Sequence, residues 1–154
     1  KINSLVLGGH GDTMVPMAEQ TLIDNVSLNK FLKEGKIDKK DLDEIIERTR
    51  KGGAEIVKFL QKGSAFYAPA ASGVEMAESF LKDQKKQLPC AAYLNGEYGV
   101  KNLYAGVPVI IGASGVEKII ELDLNNVEKE GFKKSIKAVE DLFNAAKKID
   151  NSLS

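Results

Sequence analysis

Histidine and cysteine occur once each in the 154-residue chain, and arginine only twice, at Arg48 and Arg50. A lone Cys90 forms no internal disulfide and points away from a disulfide-stapled secreted scaffold, so a reducing cytoplasm is the expected compartment. One histidine and one cysteine without ligand spacing make no zinc site, and no metal is expected. With so few arginines, the side chain that best grips carboxylates by its planar fork is scarce. Charge of either sign is not in excess, 22 basic against 22 acidic residues, which removes any general pull toward nucleic acid or an anionic membrane surface. No apolar run approaches the roughly 18 residues that span a bilayer, and the amino terminus has none of the features of a signal peptide. A Gly-x-Gly-x-x-Gly between strand and helix is missing, as are a P-loop and a nucleophile elbow. The chain should therefore not hold a dinucleotide firmly by itself. It opens on Lys1-Ile2-Asn3 with no initiator methionine, so we expect a piece of a longer polypeptide.

What is present suffices for one domain over residues 1–154, since a chain of this length buries roughly two thirds of its extended surface. The most informative stretch is Ser4-Leu5-Val6-Leu7-Gly8-Gly9-His10-Gly11-Asp12-Thr13-Met14-Val15-Pro16. Leu5 to Leu7 are too few for a helix and read as a buried strand, punctuated by Gly-Gly. A rigid strand fixes the position of the imidazole, flanking glycines admit a ligand, and a group titrating near neutrality can take a proton from a substrate hydroxyl and return it. An ordinary surface histidine is the plain alternative. Asp12 either orients the ring or caps the following turn. A nucleophilic Cys90/His10 pair is the weaker chemical reading, because Cys90 lies in an apolar strand run and reads as an inert core thiol.

The remaining elements follow from periodicity. Thr21 to Leu28 reads as two short strands about Asp24-Asn25, and Asn29 to Glu34 as a short helix closed by Gly35. Residues 38–61 form a long amphipathic helix capped by Asp38 and closed by Gly63, with Leu42, Ile45, Ile46, Thr49, Gly53, Ile56, Val57 and Leu60 on one face. Gly52-Gly53 predicts a kink or a close helix contact. A second helix runs to about Asp83, with Pro69 in its first turn and Val74, Ala77, Phe80 and Leu81 as its buried stripe. Its small residues Ala70 to Gly73 suit tight packing or a flat ligand. Beyond Leu88 an antiparallel meander is expected: 88–94, 103–105, 107–111 and 116–122, with Gly106-Val107-Pro108 and Gly112 to Gly115 as turn chemistry and Val109 to Ile111 central. Asn125 or Asn126 caps a last helix carrying Phe132, Ile136, Val139, Leu142, Phe143, Ala146 and Ile149 on one side. The fold class is α+β, an antiparallel sheet covered by long helices.

Gly8 to Pro16 resembles the active-site histidine segment of the lactate/malate dehydrogenase family, with Gly9 similar to its bacterial malate-specific members. Lys62 to Ala70 is similar to the family's pocket segment, and Tyr98-Gly99, Gly106 to Val109 and Gly115 to Ile119 to its hairpins. The resemblance covers almost the whole chain and matches the carboxy-terminal, catalytic half. It implies that His10 accepts the proton as malate becomes oxaloacetate while a hydride passes to NAD, that Gly9 and Ala65 belong to the substrate pocket, and that Pro69 faces the nicotinamide. It further implies that the dinucleotide-binding half, the aspartate orienting the histidine and the arginines holding the substrate precede this segment. Arg48 and Arg50 do not match those arginines. The expected partners are that amino-terminal cofactor domain, a small substrate and further copies of the chain in a homo-oligomer, and the domain alone is expected to be inactive. A lactate or other 2-hydroxy acid enzyme, or a non-catalytic module of the same fold, are the alternatives.

Overall fold

Five short strands open the chain in a computed structural model that describes residues 1–153: β1 (Ile2–Asn3), β2 (Val6–Leu7), β3 (Val15–Pro16), β4 (Leu22–Ile23) and β5 (Val26–Ser27). Three helices follow, α1 (Leu28–Lys33), α2 (Lys39–Leu60) and α3 (Tyr67–Leu81), then the strands β6 (Lys86–Asn95), β7 (Lys101–Gly112) and β8 (Gly115–Ile119), and the long helix α4 (Asn126–Ile149). Every strand pair among the described residues is antiparallel: β1-β4-β5, β2-β3 and β6-β7-β8. The α+β class expected from the sequence is the one observed.

The meander carries the core: β6 alternates buried and exposed positions, while β7 is buried on both faces from Val107 to Val109. Cys90, Ala92 and Leu94 of β6 and Leu103, Ala105, Val107, Val109 and Ile111 of β7 face inward, where they meet Leu7, Met17, Phe132 and Ile136. The Val, Leu, Ile, Met and Phe side chains among them each gain about 1.5–3 kcal/mol on full burial. Val109 sits in the central strand, fully buried, as its two-sided apolar setting predicts. Tyr98, between β6 and β7, donates its hydroxyl to Ile120 O at 2.6 Å, accepts the Leu122 amide at 3.0 Å, and stacks obliquely on Phe132. Burial pushes its phenol above the ordinary tyrosine value. The last helix begins with a capping box, Asn125 and Glu128 each bonding the other's backbone amide, an arrangement worth about 1 kcal/mol.

Several expectations require correction. Gly106-Val107-Pro108 is not a turn: β7 runs through it without a break. β8 ends at Ile119, short of Leu122. Helix α2 keeps its Asp38 cap but ends on Gln61 in the left-handed conformation, two residues before Gly63. It passes through Gly52-Gly53 uninterrupted, with no neighbouring atom within 4 Å of where a Cβ would stand at either glycine, so no close helix contact explains them.

The largest departure concerns what the helices bury. Of the apolar face of α2 only Leu42 is buried, while Ile45, Ile56, Val57 and Leu60 are exposed. The stripe expected on α3 is open too, with Val74, Phe80 and Leu81 exposed; the buried residue there is Ser79. On α4 the apolar face is covered through Ile136 and then opens at Leu142 and Ile149. The accessible surface is 10643 Å², against about 7,600 Å² expected of a compact monomer of this size. Exposed apolar residues on α2, α3 and α4 contribute to this excess.

Ser79 shows how α3 is held to the sheet. Its hydroxyl donates to Ile111 O at 2.7 Å and accepts the Lys86 amide at 3.2 Å, in a setting of zero exposure. Ser79→Ala removes both bonds of a fully buried hydroxyl, so unfolding in urea should show a loss of about 1–3 kcal/mol, whereas Leu81→Ala, two residues on and exposed, should leave the midpoint unchanged.

Candidate active site

His10 stands in the loop of the β2–β3 hairpin, whose register pairs Val6 with Pro16 and Leu7 with Val15. Leu7 enters the core and pins the strand, and the chain then has to leave it sharply. Gly8 does this at φ +88°, and a Cβ there would lie 2.2 Å from Ser135 Oγ, so glycine is required on both conformational and steric grounds. The Gly8 amide donates to Gly106 O at 2.8 Å and the Gly106 amide returns a bond to Gly8 O at 2.9 Å. That pairing fastens the loop to β7. It also explains Gly106 within a strand: a Cβ at that position would stand 2.5 Å from the Gly8 carbonyl oxygen.

Three further bonds fix the rest of the loop. The Gly9 amide donates to Ser135 Oγ of α4 at 2.7 Å, the Met14 amide to Gly11 O at 3.0 Å, and Arg50 Nε of α2 to Met14 O at 3.1 Å. The backbone around His10 is therefore held from β7, α4 and α2, while the imidazole is exposed. Asp12 is exposed on the same turn, and the side chains that bond this loop are Ser135, Thr13 and Arg50.

His10 lines an open cavity of about 470 Å³ together with Gly8, Gly9, Met14, Cys90, Tyr104 and Val139. No Asp, Glu, Lys or Arg belongs to its wall among the described residues. Burial raises the Cys90 thiol above its ordinary value, which keeps it protonated and inert near neutrality; the core reading of Cys90 is the one observed. The cavity can thus move one proton through His10 but offers no counter-charge to a carboxylate and no cradle for a phosphate. Ala65 is half-buried just before α3, and Pro69 is exposed as the third residue of that helix. Neither lines the cavity of His10 and Gly9. The small residues Ala70 to Gly73 of α3 are exposed. No cluster of three or more potential metal ligands occurs among the described residues, and no helix among them is long and apolar enough to cross a membrane.

Sequence reasoning passed over Ser135, Thr13 and the Gly8/Gly106 pair. The signal available for the pair was a glycine on each side of a long sequence gap; for Ser135 it was a serine on the otherwise apolar face formed by Phe132, Ile136 and Val139.

Comparison with known proteins gives a consistent picture. The family model described as lactate/malate dehydrogenase, alpha/beta C-terminal domain, matches residues 1–149. A malate dehydrogenase of Pelagibacter ubique (strain HTCC1062) is 62% identical over all 154 residues, which cover 48% of that protein. The chain thus spans about half the length of the curated relative it matches. Among solved structures, a malate dehydrogenase of Cryptosporidium parvum superposes with TM-score 0.93 at 45% identity, over 96% of this chain and 47% of that one. A lactate dehydrogenase of Eimeria maxima with NADH and oxamate gives the same TM-score at 43% identity, over 97% of this chain and 47% of that one.

Proposed function

Because the chain belongs to the lactate/malate dehydrogenase family and matches its C-terminal domain, we propose that it is the acid/base half of an NAD-dependent malate dehydrogenase, with His10 as proton acceptor and donor. The observation that carries this reading is the cavity itself: His10, on a loop whose backbone is firmly held, lines a space with no Asp, Glu, Lys or Arg in its wall among the described residues. In malate oxidation, the hydroxyl proton passes to the neutral imidazole as the C–O bond becomes a carbonyl; in reduction, the imidazolium returns it to the developing alkoxide. Bound NAD supplies the acceptor for the hydride. Gly9 and Ala65 are proposed as pocket residues and Pro69 as a neighbour of the nicotinamide.

What the chain lacks in its cavity defines its partner. The substrate carries two carboxylates and the cofactor a pyrophosphate, and their counter-charges have to come from a polypeptide outside these residues. A dinucleotide-binding domain that brings the arginines, and an aspartate to orient the His10 ring, supplies both needs. It also covers apolar helix surface left open here, and further copies of the chain in a homo-oligomer cover the remainder. A reducing cytoplasm suits the single buried thiol.

Malate is favoured over lactate by the 62% identity to a malate dehydrogenase and by Gly9 and Ala65. The fold does not separate the two substrates, since a malate and a lactate enzyme superpose equally well on it. The test is oxidation of NADH with oxaloacetate by this chain alone and after mixing with a separately made dinucleotide-binding domain. Turnover only in the mixture is expected, with oxaloacetate faster than pyruvate. Turnover by the pure chain would refute the half-site reading, and preference for pyruvate would refute the malate assignment.

A further inference from the structure

The geometry points to Ser135 as a positioning residue for His10, acting from the carboxy-terminal helix through the Gly9 amide. This rests on the reading of His10 as the proton-transfer group. Ser135 has zero exposure, and its Oγ lies between two groups of the histidine loop. It accepts the Gly9 amide at 2.7 Å and donates to Thr13 Oγ1 at 3.4 Å. A hydroxyl has one proton and two acceptor sites, so the amide on one side dictates that the proton goes to the other arm of the loop. Serine in a helix ordinarily turns its hydroxyl to its own backbone or to solvent. Here it is committed to a loop 126 residues earlier in the chain.

The arrangement leaves the loop little freedom just ahead of the histidine. Gly8 is held at both its amide and its carbonyl by Gly106, and the next amide is held by Ser135. The bond from Cα to Cβ of His10 therefore starts from a backbone fixed on two sides, by a strand and by a helix. The space between Gly8 and Ser135 admits no added carbon, so helix and loop meet at contact distance, and a small displacement of α4 is transmitted to the imidazole. Proton transfer depends steeply on the distance between donor and acceptor, and displacements of about 1 Å can cost a hundredfold in rate.

The test compares parent, Ser135→Ala and His10→Asn in two measurements. In the chain by itself, amide exchange followed by NMR should show Gly9 opening at least about tenfold faster in Ser135→Ala, with Gly8, bonded to Gly106, as the unchanged internal reference. In the complete two-domain enzyme, the same variant should lose between about tenfold and a hundredfold in kcat with an unchanged KM for the dinucleotide. Gly8 and Gly9 loosening together would reduce Ser135 to a stability residue and overturn the proposal. So would a kcat within about twofold of the parent while Gly9 exchange has risen. Full activity in His10→Asn would instead refute the histidine reading, and the exchange measurement would still decide whether Ser135 holds the loop. Should Ser135→Ala fail to fold, Ser135→Cys fills the same space with a poor acceptor and is subject to the same criteria.

Discussion

Replacing His10 by asparagine in the assembled enzyme should lower kcat for oxaloacetate reduction by about 10²–10⁴, the usual contribution of a positioned acid/base group. The fold should not notice. The ring is exposed, contributes nothing to the core and lies outside the bonds that hold its loop, which run through the backbone of Gly8, Gly9 and Met14. The melting temperature and the affinity for the dinucleotide-binding half should therefore match the parent, and a parallel loss of docking would assign His10 a structural role instead. Asparagine cannot take up and return a proton, so the residual rate should be that of the site without its acid/base group. Steady-state NADH oxidation, a thermal melt and a binding titration between the halves measure the rate, the stability and the docking.

The second large effect is expected at Gly106. Valine there would drive its branched side chain into the Gly8 carbonyl, since even a single Cβ stands 2.5 Å from that oxygen. Overpacking against backbone has no flexible neighbour to absorb it, and both bonds of the Gly8/Gly106 pair would break. We expect a loss of about 3 kcal/mol or more, read from denaturant unfolding of the chain. Gly52→Ala is the matched control with the opposite sign. Gly52 lies within α2 with open space around it, so alanine should stabilise the chain by about 0.5–1 kcal/mol through helix propensity.

These two glycines also mark how far the sequence could be read. Helix spans, the Asp38 cap, a cap at Asn125 or Asn126, the strand runs of the meander and the glycine-flanked histidine all arise from interactions within a few residues, and local pattern conveys them. Gly106 next to Pro108 looks like a turn by the same local rule, yet the cause of the glycine is a carbonyl arriving from the other end of the chain. Ser135 stands out locally only as a serine on an apolar face; the loop it bonds lies 126 positions away. Amphipathic periodicity identified the apolar faces of α2 and α3 correctly but not their fate. A hydrophobic face states that something will cover it, and whether the cover lies in the same chain is information of a different kind. Leu42 and Ile45 are one turn apart and alike in chemistry, yet one is buried and the other open.

The route by which the His10 loop is fastened has a kinetic consequence. Its anchors come from Gly106 and Ser135, the latter separated from Gly9 by 126 positions. Closing so long a stretch of chain is entropically costly, and contacts of this separation form after local ones during folding. During synthesis His10 would emerge well before Ser135, and the anchors of its loop would be complete only once α4 has been made and docked. The anchored loop would thus be among the last features the folding chain acquires, and a partly folded chain would hold His10 without the bonds that fix its backbone.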